Sequence, residues 1–134
     1  MGYESVLHLI DVKIKAKAIP GVERALANPG KRGTTRFAYI LERAVLNRDG
    51  FLAFKASEDG PDPYDPDEED GTLPALYGKW YGAEHFARWL SRHCERGGRI
   101  VLHSIEADGC ASGWEFDGRG RMRALDLVPV GKWT

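Results

Sequence analysis

The chain has 134 residues, 43% hydrophobic and 29% charged, with a formal net charge of −1 at pH 7. A chain of this length and composition is expected to form one domain, residues 1–134, that buries a core without metals or disulfides. No apolar run approaches the roughly 18 to 20 residues of a membrane span, and Met1 is not followed by the basic and apolar regions of a secretory signal. We therefore expect a cytoplasmic protein.

Charge is segregated along the chain. The stretch Glu58 to Asp70 holds eight acids and no bases, and the remainder holds twelve acids against nineteen Lys and Arg, a net charge of +7. Nine of those bases lie between Asp11 and Arg48, where only three acids occur. The pattern predicts a basic domain that carries an acidic loop.

The first strand is predicted over residues 10–18, where apolar and polar residues alternate from Ile10 to Ala18. Its outer face holds Lys13, Lys15 and Lys17. Lysines on such a face keep a sheet soluble and discourage edge pairing, or else form a phosphate-binding stripe, and the pattern fits both interpretations.

Two helices are predicted next. One runs from Pro20 to Ala27 and ends at Asn28-Pro29-Gly30. The other begins at Thr34 or Thr35 and ends near the turn 47–50. Its core-facing stripe, at helical spacing, is Phe37, Ile40, Leu41, Ala44 and Val45. A strand over 51–56, antiparallel to the first, is predicted to follow.

Residues 57–74 are predicted to form a long surface loop, because acids, glycines and prolines dominate there and leave almost nothing to pack. Leu76 to Tyr81 is expected to re-enter the fold. A helix from Gly82 to Arg96 should follow and end at Gly97-Gly98.

The C-terminal third is predicted as three strands joined by turns at Asp108-Gly109 and 117–120. The strand over 99–107 is apolar on both faces, which indicates a central position in the sheet. The predicted order is β-α-α-β-loop-α-β-β-β: an α+β fold with a mainly antiparallel sheet of about five strands and helices packed on one face.

No cofactor or metal site is predicted. His85, His93 and Cys94 share a predicted helix, but their spacing places no two of them at i and i+4 on one face. We expect both cysteines, Cys94 and Cys110, to be free thiols. The weakest functional hypothesis is a small hydrolase that uses Cys110 with His103, or a carboxylate such as Glu106.

Two charged surfaces are the predicted binding sites. The basic surface would contact a partner or nucleic acid, since lysine and arginine neutralise phosphates. Its residues are Lys13, Lys15, Lys17, Lys31, Arg32, Arg36 and Arg43. The acidic loop would dock on a partner through Asp62, Asp65, Asp67, Glu68, Glu69 and Asp70. Along the sequence the aromatic residues do not interleave with the bases as they do in single-strand binders.

Several short motifs resemble those of a group of small proteins from bacteriophages, prophages and some bacteria. They are Met1-Gly2-Tyr3, Lys79-Trp80-Tyr81, the run 102–109, Gly113-Trp114 with Phe116, and the turn 118–121. The resemblance implies a mobile-element setting, in the cytoplasm of a bacterial host, and a protein that binds a host macromolecule. It supplies no catalytic residue.

The leading hypothesis is therefore a non-enzymatic accessory protein of phage type that binds a host protein or ribonucleoprotein complex, such as an inhibitor of a CRISPR-like defence complex. The alternative is a small nucleic-acid-binding domain that uses the basic N-terminal surface.

Overall fold

The computed structural model describes residues 5–55, 72–104, 111–126 and 128–129. Within them lie three α-helices: α1 (Ile19–Ala27), α2 (Ala38–Arg43) and α3 (Ala83–Ser91). Two short 3-10 turns cover Ala16–Ala18 and Thr35–Phe37. The strands are β1 (Ser5–Ile10), β2 (Ala44–Leu46), β3 (Leu52–Lys55), β4 (Thr72–Leu73), β5 (Ala75–Gly78), β6 (Arg99–Ser104), β7 (Ala111–Phe116), β8 (Met122–Asp126) and β9 (Val128–Pro129).

The main sheet is antiparallel throughout, with the strand order β5-β1-β6-β7-β8-β9. Five of its strands have four or more residues and β9 has two, so the predicted α+β class and sheet size are confirmed. β6 lies inside the sheet between β1 and β7, as its two apolar faces predicted. Ile100 at its start is fully buried.

The predicted first strand, residues 10–18, is wrong in its boundaries. β1 ends at Ile10, and Asp11 adopts a positive φ of 51°, which turns the chain out of the main sheet. Val12 and Ile14 are still buried, as the alternation predicted, while Ile10 is exposed. The chain then makes single bridges from Lys13 to Phe51 and from Ile14 to Cys94 before the 3-10 turn.

The predicted second helix is too long. α2 ends at Arg43, and the next three residues form β2, which pairs with β3 in a second sheet of order β2-β3-β4. The Asn47 side chain closes the hairpin, because its Oδ1 accepts hydrogen bonds from the backbone N–H of Asp49 and Phe51, both at 2.9 Å. The strand predicted over 51–56 pairs with β2 and β4. It meets the segment after β1 through the antiparallel bridge of Phe51 to Lys13 and through the Leu52 N–H, which donates to the Val12 carbonyl at 2.9 Å.

The helix predicted over 82–96 is also shorter. It ends at Ser91 because the residues after it pair with the segment that follows β1. The backbone N–H of Lys15 donates to the carbonyl of His93 at 2.8 Å, and that of Glu95 donates to the carbonyl of Lys13 at 2.7 Å. The Cys94 N–H still donates to the Leu90 carbonyl at 3.0 Å, and from Glu95 on, a tertiary hydrogen bond replaces the helical one that the sequence pattern predicted.

The core lies between one face of the main sheet and the helices. Leu7, Ile100 and Phe116 from the sheet are fully buried with Phe86 and Leu90 of α3. β5, which begins at Ala75, pairs with β1 where re-entry of the chain was predicted. Residues 72–73 of the predicted loop form β4, and residues 57–71 lie outside the described part of the chain.

Candidate nucleic-acid interface

One side of α3 presents a row of aromatic and imidazole rings. His85 and Trp89 are four residues apart, so they lie on the same side of the helix, and His93 continues the row just after the helix ends. The rings of Trp89 and His93 meet edge to face with their centroids 5.0 Å apart. Trp89 and His93 therefore form one patch of ring surface, and His85 lies one helical turn before it.

Trp89 is held in place by its neighbours. Its ring stacks on Phe86 at a centroid distance of 6.2 Å and packs against Phe37 at 5.6 Å. Both phenylalanines are buried, whereas Trp89 is only partly buried. The indole is thus anchored on one side and open on the other.

The open side of Trp89 contributes to a cleft between α3, α1 and the loop after α1. The cleft has a volume of about 600 Å³. Its lining residues are Gly21, Arg24, Ala25, Asn28, Lys31, Arg32, Thr34 and Trp89. Three of them are basic and none is acidic, so the cleft favours an anionic ligand.

The loop over 28–34 is a tightly hydrogen-bonded turn. The buried Thr34 hydroxyl donates to the Lys31 carbonyl at 2.7 Å and accepts from the Gly30 N–H at 2.9 Å. Arg32 takes a positive φ of 53°, which is uncommon for a residue other than glycine. The internal bonds hold the backbone, so the exposed side chains of Lys31 and Arg32 extend from a fixed base.

The three bases of the cleft form no ion pair with the described residues. Among the described residues, no carboxylate lies within 4.0 Å of Arg24, Lys31 or Arg32. Arg24 Nε makes a long hydrogen bond to the Pro20 carbonyl at 3.4 Å, within its own helix. Their positive charge is therefore available to a ligand.

A further base lies at each end of the ring row. At one end Arg36 Nη1 lies 3.4 Å from His85 Nε2, both on exposed side chains. At the other end burial, with the nearby charges of Arg92 and Lys15, lowers the pKa of His93. His93 is thus mainly neutral near pH 7 and offers a ring surface with cations close to it.

Four of the seven predicted basic residues lie at the cleft or at the ends of the ring row. Lys31 and Arg32 line the cleft, and Lys15 and Arg36 stand at the ends of the ring row. Lys17 is exposed in the 3-10 turn before α1.

The other two predicted bases lie elsewhere. Lys13 pairs with Glu95 at 3.9 Å and lies over the Phe51 ring, 5.9 Å from its centroid. Arg43 ends α2 with its Nε buried. The acidic residues Asp62, Asp65, Asp67, Glu68, Glu69 and Asp70 lie outside the described part of the chain.

Sequence reasoning did not select Arg24, His85 or Trp89 for this site. Four-residue spacing on α3 is the signal that relates His85 to Trp89, but it is shared by any helix face. No local signal places Arg24 beside Trp89, since they come from helices far apart in the sequence. The tertiary structure thus places an aromatic residue among basic ones, an arrangement that does not occur along the linear sequence.

The structure adds little to the hydrolase hypothesis. Burial raises the pKa of the Cys94 thiol to about 12, so this free cysteine does not form a thiolate near neutral pH. Cys110 and Glu106 lie outside the described residues, and the exposed His103 on β6 has its ring 6.4 Å from that of His8. Within the described ranges, no three metal-binding side chains cluster.

Comparisons with known proteins give no relative: no family model, curated protein or solved structure matches the chain. The resemblance to phage-type proteins therefore stays a prediction. No helix in the described part of the chain is long and apolar enough to cross a membrane.

Proposed function

We propose that this protein binds single-stranded nucleic acid in the cleft beside α3. The observation that carries the proposal is the position of Trp89, which lines a cleft with Arg24, Lys31 and Arg32 and with no acid among the described residues. Single-strand binders combine a positively charged groove with aromatic rings on which bases stack.

Each part of the cleft has a role in this proposal. Arg24, Lys31 and Arg32 neutralise backbone phosphates, which supplies affinity without sequence preference. Trp89 stacks with one base, a contact that a duplex cannot make without unpairing. The fixed loop over 28–34 limits the ordering cost of binding, since its backbone bonds are already formed.

The hypothesis of a phage-type inhibitor of a host defence complex stays a prediction, as does residence in a bacterial cytoplasm. A ribonucleoprotein partner would supply a strand that suits the cleft, and this is the point at which the two hypotheses meet. The cleft supports the nucleic-acid part of this combined hypothesis, because its positive charge can bind phosphates and its aromatic ring can stack with a base.

Fluorescence anisotropy with a labelled oligothymidylate of about twelve nucleotides, within the 4 to 16 typical of a single-strand site, tests the proposal. We expect affinity to fall with salt at a log–log slope of about −2, since each phosphate contact contributes about −0.7 and the cleft has three bases. A flat titration at low salt would remove the proposal.

Two substitutions locate the site. Arg24→Gln should weaken binding about two- to fivefold, the effect of one exposed charge contact. Trp89→Leu should weaken it about fivefold or more, because a stacked base contributes about 1 to 3 kcal/mol. The matched control is Lys55→Gln, which removes the charge of an exposed side chain at the end of β3, whose Nζ donates to the Glu42 carbonyl at 3.2 Å.

Since Trp89 packs against Phe37 and Phe86, its variant also needs a thermal unfolding curve. Arg24 is exposed, so Arg24→Gln tests the cleft without disturbing the core. Equal losses of affinity in Arg24→Gln and Lys55→Gln would mean that binding is diffuse and that the cleft is not the site.

A further inference from the structure

A second basic cavity lies on the other flank of α3, at the turn between β7 and β8. It has a volume of about 370 Å³ and is lined by Arg96, Asp117, Arg119 and Arg121. Three arginines and one carboxylate converge there, and we refer to this set as the arginine pocket.

The carboxylate of the arginine pocket is fully engaged within the turn. Asp117 accepts hydrogen bonds from the backbone N–H of Arg119 at 2.7 Å and of Arg121 at 3.0 Å, and from Arg121 Nε at 2.7 Å. Burial tends to raise the pKa of Asp117, but these bonds lower it below its usual 3.8. Asp117 is thus ionised and matched by Arg121.

Arg96 and Arg119 retain their positive charge. Both side chains are exposed, and among the described residues no carboxylate lies within 4.0 Å of either. The pocket therefore has an excess of two positive charges, which suits a phosphate group, because guanidinium donors match phosphate oxygens.

The turn is fixed against the end of α3. A Cβ on Gly118, which has a φ of +80°, would lie 2.8 Å from the backbone nitrogen of Arg96, so the close approach requires glycine. The buried Ser91 hydroxyl donates to the Arg88 carbonyl at 2.6 Å and lies 3.3 Å from the Gly120 carbonyl. The pocket is therefore a built feature of the fold.

α3 separates the arginine pocket from the cleft. Ser91 points to the turn and Trp89 to the cleft, and residues two apart on a helix lie about 200° apart around its axis. Arg88 and Arg92 are exposed between them on the outer side of α3. The route across the helix, about its diameter of 10 to 12 Å, thus passes these two arginines.

We propose that the arginine pocket binds a backbone phosphate of the same single strand that occupies the cleft, after the strand has crossed α3 over Arg88 and Arg92. The assignment of the ligand as a nucleic-acid strand rests on the proposed function. The observations that carry the pocket itself are its unmatched arginines and its fixed position beside α3.

Two oligothymidylates test the proposal: one of two nucleotides, which is shorter than the roughly 10 to 12 Å across α3 because phosphates follow one another at about 3.4 Å or somewhat more, and one of about twelve, within the range of single-strand site sizes. The short one fits the cleft alone and the long one reaches both cavities. Arg119→Gln should weaken binding of the long one about two- to fivefold and make its salt slope shallower by about 0.7, with the short one unchanged. Arg24→Gln should weaken both, and Lys55→Gln neither.

Arg119→Gln should fold normally, because the bond to Asp117 comes from its backbone N–H. Arg96→Gln provides a second variant from a different segment, with the same expected result. If both leave the long oligonucleotide unaffected, the arginine pocket is overturned while the cleft stands. If neither oligonucleotide binds the unmodified protein, the proposed function itself fails.

Competition with inorganic phosphate tests whether the ligand of the arginine pocket is a strand or a free phosphate ion. We expect it to displace the long oligonucleotide no better than chloride at equal ionic strength. Competition beyond that level, lost in Arg119→Gln, would assign the pocket to a free phosphate ion and overturn the strand proposal.

Discussion

The arginines of the main sheet and those beside α3 differ in their surroundings. On the sheet, Arg99, Glu115 and Arg123 stand in one cross-strand row. Arg123 Nη2 lies 2.8 Å and Arg99 Nη2 3.8 Å from oxygens of the Glu115 carboxylate. This shared carboxylate links three strands, so these arginines serve the fold.

Beside α3, four arginines have no such neighbour among the described residues. Arg24 and Arg32 line the cleft, and Arg96 and Arg119 line the arginine pocket, without a carboxylate of the described residues within 4.0 Å. The net charge of −1 does not reveal this difference. The location of unmatched charge, rather than its total, indicates where an anion binds.

The largest difference in stability between the main sheet and the region beside α3 should come from substitution of one glycine in each. A Cβ on Gly113 in β7 would overlap the Ile100 carbonyl oxygen and lie 2.9 Å from the Val101 Cα, both backbone atoms of the neighbouring strand. Gly113→Ala should therefore lower the free energy of unfolding by about 3 kcal/mol or more, or prevent folding.

Gly21 in the cleft wall is the matched comparison. A Cβ there meets no atom within 4 Å, so Gly21→Ala should raise the free energy of unfolding by about 0.4 to 1 kcal/mol through lower chain entropy. Urea denaturation measures both. Similar stabilities for the two variants would contradict the tight approach of β6 and β7.

An intermediate effect is expected from Glu115→Gln. The substitution removes the charge shared by Arg99 and Arg123, so the free energy of unfolding should fall by about 2 kcal/mol, while affinity for the short oligonucleotide stays within about twofold. Glu42→Gln, an exposed change on α2, should alter stability by less than about 0.5 kcal/mol. A clear gain of affinity in Glu115→Gln would show that the sheet arginines also bind the strand.

The smallest effect is a pH dependence that distinguishes His8 on the sheet from His93 beside α3. Burial, together with His103, lowers the pKa of His8, and burial with Arg92 and Lys15 lowers that of His93. Each imidazole therefore binds its proton at a higher pH in the unfolded chain, near the usual pKa of 6.5, than in the folded protein. The contribution of His8 and His93 to the free energy of unfolding is thus complete above pH 6.5. It is lost as pH falls from 6.5 through their lowered pKa values.

Melting temperatures between pH 7 and pH 5 should show this decline, and His8→Gln or His93→Gln should each reduce it. A saturating concentration of oligonucleotide should reduce only the part of this decline that is due to His93, because a phosphate near that imidazole favours its protonated form. The same reduction for His8 would place the bound strand on the sheet and not beside α3.

Local chemistry in the sequence determined much of the fold. Helix α1 ends before Asn28-Pro29-Gly30, as those residues predicted, and β6 lies inside the sheet because it is apolar on both faces. The excess of nine bases over three acids between Asp11 and Arg48 is likewise a property of the sequence alone. Each of these features depends on residues within a few positions of one another.

Only the tertiary structure decided the rest. Residues 44–46 satisfy a helical stripe, yet they form β2 because β3 offers them a partner across the Asn47 turn. Trp89 joins Arg24 in one cleft, and Glu115 pairs with Arg99 while no described carboxylate pairs with Arg24. These outcomes depend on contacts between residues distant in sequence, which the packing of the whole chain selects and no local pattern records.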